Sequence, residues 1–115
     1  MAAGLVALAG CQAKRGPTYA HFGGDPVRGA ALVDQQACGA CHVIPGKAQG
    51  DGLVGPPLGG FANRTMIAGT LPNTPANLTR WIEAPQAVRP GDAMPDMGLT
   101  AQQSRDIAAY LYTLR

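Results

Sequence analysis

Near the C-terminus, Ile107, Tyr110, Leu111 and Leu114 recur at the spacing that gathers side chains on one face of a helix. Thr100 opens this stretch and Gln103 follows three residues later, the two halves of a capping box. A shorter apolar stripe, Leu78, Trp81 and Ile82, follows Thr74-Pro75 and stops before Pro85. There Thr74 takes the capping position and Pro75 the first helical one, where a missing N–H costs nothing. Asp25-Pro26 gives the same start signal and predicts a helix running to about Ala37. Gly29 falls inside it at a cost of roughly 1 kcal/mol relative to Ala. Either a close helix crossing or tolerated looseness accounts for it. The segments Val43–Gly60 and Pro90–Met97 are rich in glycine and proline and read as loops.

Residues 1–11 are apolar but too short to span a bilayer, and they look like the end of a secretion signal. Leu8-Ala9-Gly10-Cys11 resembles a bacterial lipobox, which predicts a lipid on Cys11 and export from the cytoplasm. Residues 12–24 are then a polar tether, about 20 Å long as a coil and at most ~45 Å when stretched. His21 lies in that tether and reads as a solvated side chain. Residues 25–115 form one domain.

Composition sharpens this picture. Of 115 residues, 46% are apolar but only 14% charged, and glycine and proline together number 26. A chain so rich in turns builds a thin core of its own, because small domains bury a modest share of their surface. It suits a fold wrapped around a bulky cofactor. A net charge of +2 argues against nucleic-acid binding and for mild electrostatic steering at most.

The chemistry is carried by Cys38-Gly39-Ala40-Cys41-His42. A Cys-x-x-Cys-His run is the attachment signature of c-type haem: each thiol adds across one vinyl group, and the adjoining imidazole becomes an axial ligand of the iron. A zinc site would need a second pair of soft ligands, and only Cys11 and His21 remain, both far upstream. A thioredoxin-like redox pair would need a βαβ context, and no strand alternation flanks the run. With Cys11 lipidated and the other two cysteines on haem, no thiol is left for a disulfide.

A thioether on the far side of the iron would make it six-coordinate and raise its potential. Met1 lies in the signal, Met66 reads as core filling, and Met94 and Met97 occupy the proline-rich loop before the last helix. These features together resemble a class I mono-haem cytochrome c over residues 24–115. The matching stretches are Gly24-Asp25 with Gly29, the run at 38–42, Gly55-Pro56-x-Leu58, Arg64, Trp81, Met94-Pro95-x-x-Gly98-Leu99 and Ala109-Tyr110-Leu111. The resemblance implies an all-α cytochrome c fold, with three to four short helices and long loops around one covalently bound haem c. It selects Met94 as the second axial ligand beside His42. It further implies that the Pro56 carbonyl accepts from the His42 ring, that Gly29 lets the first helix cross the last against Tyr110, and that Arg64 and Trp81 hydrogen-bond the haem propionates.

Residues 68–78 together with Trp81-Ile82 and Pro85-Gln86 are similar, more narrowly, to the cytochrome c domain fused to subunit II of some bacterial haem–copper oxidases. The expected function is one-electron transfer by a non-enzymatic carrier, lipid-anchored at the periplasmic face of a bacterial inner membrane. Its expected partners are a quinol-oxidising complex and a terminal oxidase. A permanent wiring subunit of a larger respiratory complex is the alternative. A peroxidase or gas sensor would need an open iron position, and the chain offers no distal histidine or acid–base pair for one.

Overall fold

The computed structural model describes residues 22–115, together with Ala2 and Gly4. The expected lipid site at Cys11, His21 and nearly all of the tether lie outside the described residues. Among those described, the chain forms four α-helices, two short 3-10 turns and one two-stranded antiparallel ladder. Apart from the small ladder, it is the helical, loop-rich architecture expected, with four short helices. No helix among the described residues is long and apolar enough to cross a membrane.

Helix α1 spans Pro26–Gln35. Asp25 caps it by accepting from the backbone N–H groups of Val27 and Arg28, at 2.8 and 3.1 Å. It ends two residues earlier than the sequence suggests, because Ala37 takes a left-handed conformation with φ of 55°. That turn leads directly into the 3-10 turn Cys38–Ala40. Helices α2 (Pro75–Glu83) and α3 (Pro85–Val88) each begin on a proline. The one-turn α3 has no apolar stripe and was not legible as a helix. Helix α4 spans Ala101–Leu111 with the Thr100–Gln103 capping box complete. Strands β1 (Met66–Ile67) and β2 (Leu71–Pro72) pair through Met66–Pro72 and Ile67–Leu71 around a turn at Ala68-Gly69.

Helix α4 is the hub on which α1 and α2 both pack. A Cβ on Gly29 would stand 1.9 Å from the Asp106 carbonyl oxygen and 2.9 Å from the Tyr110 Cβ. The glycine is therefore there for the helix crossing, which no side chain would permit. Beside it Asp106, 3% exposed, accepts from the Asp25 N–H at 2.9 Å, from Gln102 at 2.9 Å and from the Arg28 guanidinium at 3.0 Å. The apolar core runs from Val33 through Leu58, Phe61, Leu78 and Ile82 to Ile107 and Leu111. It is bounded on one side by a cleft.

Candidate functional site

That cleft has a volume of about 730 Å³ and a predominantly apolar lining. The segment between α1 and β1 contributes Cys38, Cys41, His42, Pro56 and Arg64, and α2 contributes Trp81. Met94 and Met97 enter from the loop between α3 and α4. Every site residue singled out in the sequence lines this one space, although the positions span 57 residues of chain from Cys38 to Met94.

The 38–42 run is fixed from both sides. The Cys41 and His42 N–H groups donate to the Cys38 carbonyl, and the Cys41 carbonyl accepts from the Gly55 N–H at 2.7 Å. The thiols of Cys38 and Cys41 are free and partly buried, and burial holds the Cys38 thiol above its ordinary pKa. The His42 ring is fixed by its Nδ1, 2.7 Å from the Pro56 carbonyl oxygen. A carbonyl only accepts, so Nδ1 carries the proton and Nε2 keeps the lone pair free to bind a metal. A Cβ on Gly55 would stand 2.3 Å from the His42 Cε1, so the ring occupies space that only glycine leaves.

Trp81 is 9% exposed, and its indole N–H meets no acceptor among the described residues. A buried indole N–H ordinarily finds a partner, so a donor is here available to an anionic group in the cleft. Arg64 donates to the Pro57 carbonyl and lies over the Phe61 ring, 5.5 Å from its centroid. The propionate role expected of it thus has to be shared with a backbone contact.

Of the methionines, Met94 is half-buried against the core, whereas Met66 and Met97 are 44% and 41% exposed. Met66 is not core filling: β1 turns its side chain outward to the cleft rim. Sequence reasoning missed what holds Met94. The Met94 N–H donates to the Asp92 side chain at 3.0 Å. The Gln86 amide, from α3, donates to the carbonyls of Asp92 and Met94 at 2.7 and 2.8 Å and accepts from the Gly91 N–H at 2.9 Å. Gln86 lies in the Pro85-Gln86 pair already noted, but nothing in the local pattern marked it as a brace.

The donor set fits haem c: two free thiols at the attachment spacing, an imidazole with its outer nitrogen already committed, a thioether in the same apolar cleft, and a buried indole N–H without an acceptor among the described residues. A cytochrome c family model matches residues 26–115. The chain is also similar to two proteins named cytochrome c oxidase subunit 2. That of Alkalihalophilus pseudofirmus is 30% identical over 89 residues, covering 76% of this chain and 25% of that protein. That of Bacillus sp. (strain PS3) is 32% identical over 97 residues, covering 79% and 27%. The chain spans about a quarter of the length of these curated relatives.

Proposed function

Because this chain belongs to the cytochrome c family, whose domains carry covalent haem c and transfer electrons, we propose that it is a mono-haem, six-coordinate electron carrier of a respiratory chain. Bound haem supplies one-electron cycling between Fe(II) and Fe(III). Cys38 and Cys41 would hold the group by thioether bonds, and His42 Nε2 and the Met94 sulfur would ligate the iron. The Pro56 carbonyl keeps the His42 ring oriented and electron-rich through Nδ1–H. Arg64 and Trp81 would offset the propionate charge. The predominantly apolar lining would disfavour the extra positive charge of Fe(III) and so raise the potential.

The observation that carries this reading is the meeting of a metal-ready imidazole, two free thiols and a half-buried thioether in one apolar cleft. Electrons would pass from a quinol-oxidising complex to a terminal oxidase, with the domain tethered by lipid on Cys11 at the periplasmic face of the inner membrane. The test is carbon monoxide binding to the reduced holoprotein. The carrier reading expects none in the wild type and ready binding in Met94→Ala, with a lowered potential. Strong binding by the wild type would favour an enzyme or sensor with an open iron position.

One observation supports a second reading, a fixed subunit of an oxidase: both relatives named above are themselves named as oxidase subunits. Native electrophoresis of solubilised membranes separates the two. A mobile carrier runs alone after a moderate-salt wash, and a subunit co-migrates with the oxidase.

A further inference from the structure

We infer that Gln86 is a positioning residue for Met94, and that its side-chain amide keeps the thioether at the iron. The inference rests on Met94 being the axial ligand. The loop from Pro90 to Gly98 has neither helix nor strand. Ala93 and Pro95, on either side of Met94, are exposed, so their side chains do little to fix the loop backbone. Instead one side chain gathers the loop's peptide groups. The Gln86 NH₂ donates to the carbonyls of both Asp92 and Met94, its Oε1 accepts from the Gly91 N–H, and its own backbone N–H donates to the Asp96 carboxylate at 3.1 Å. Asp92 in turn holds the Met94 N–H. The peptide groups on either side of the ligand are thus tied to α3, and Pro85 anchors α3 as a fully buried side chain.

The residue type follows from this. Two carbonyl acceptors and one N–H donor call for a group that donates twice and accepts once, which a primary amide does. A carboxylate of the same shape would turn both donated bonds into repulsions. An apolar side chain of the same length would leave all three loop groups unpaired.

The test compares holoprotein variants Q86M and Q86E with Q102M. Gln102 also bridges two acceptors with its amide, Gly23 and Asp106, but at the α1–α4 contact. Loss of the brace should raise the apparent affinity of the ferric protein for imidazole about ten- to hundredfold, the effect of about two lost hydrogen bonds. It should also weaken the long-wavelength charge-transfer band of thioether-ligated ferric haem. Q102M should lower the denaturation midpoint while leaving both readouts at wild-type values. Wild-type imidazole affinity and an intact band in either Gln86 variant would overturn the inference while Met94 remains the ligand. A wild-type ferric protein without that band, or a band that survives Met94→Ala, would overturn the assignment of Met94 and this inference with it. If Q86M yields no holoprotein, Q86E decides alone.

Discussion

At the scale of single residues, the site depends on what is missing as much as on what is present. The His42 ring fills the place of a Cβ on Gly55, at 2.3 Å from its Cε1 and 2.7 Å from its Nδ1. Gly55→Ala must push the ring away and break the Nδ1–Pro56 contact. Loss of such outer contacts typically costs about 10- to 100-fold in metal ligation. The expected result is a poor yield of holoprotein with a high-spin, His-dissociated fraction visible in its absorption spectrum. Leu53 and Val54, the two residues before Gly55, are 87% and 70% exposed. Leu53→Ala should therefore leave the spectrum and stability within about 0.5 kcal/mol of wild type, as a denaturant melt of both proteins would check. The contrast between these neighbouring substitutions separates a requirement of the site from general sensitivity of the loop.

At the scale of elements, the α1–α4 crossing is the joint on which the rest depends. Gly29→Ala gains helix propensity of about 1 kcal/mol, but its Cβ meets the Asp106 carbonyl at 1.9 Å. Overpacking of this kind costs ~1–3 kcal/mol or more, so denaturant melts should show net loss despite the better helix former. Asp106 adds a pH dependence to the same joint. Burial pushes its carboxyl up, but hydrogen bonds from Arg28, the Asp25 N–H and Gln102 more than offset this and hold it below the usual carboxylate range. Its contribution is present above the unfolded pKa of about 3.9 and is lost as pH falls through the lower folded value. Asp106→Asn should cost ~1–3 kcal/mol at neutral pH and flatten the acid limb of a stability-versus-pH curve. The caps and apolar stripes of α1, α2 and α4 were legible because they are written within a few consecutive residues. The hairpin β1–β2, the one-turn α3 and the Gln86 brace were not. Each is held by contacts from residues elsewhere in the chain or by turns too short to carry a period. Ala37 shows the limit plainly: a left-handed helix end favours glycine, and an alanine there gives no local sign of it.

At the scale of the whole molecule, the cleft is a large fraction of what would otherwise be core. An apolar wall left facing water forfeits about 25 cal/mol per Å², and for a cleft with a predominantly apolar lining that loss counts against the ~5–15 kcal/mol that a domain has in hand. Cys38→Ala with Cys41→Ala should therefore give an unfolded or degraded product, and a compact apoprotein with a cooperative melt would contradict this. The α1–α4 joint also bears on how the chain is made. Asp25 and the Asp106 carboxylate that accepts its N–H are 81 residues apart. Closing a loop of that length costs about 4 kcal/mol of chain entropy before any contact offsets it. At ribosomal speeds of about 5–20 residues per second, α4 leaves the ribosome about 4–16 s after α1. The nascent chain cannot close α1 on α4 until Asp106 has emerged. During that interval α1 is without the helix it packs on, and the Cys38–His42 run stays accessible to whatever attaches the haem.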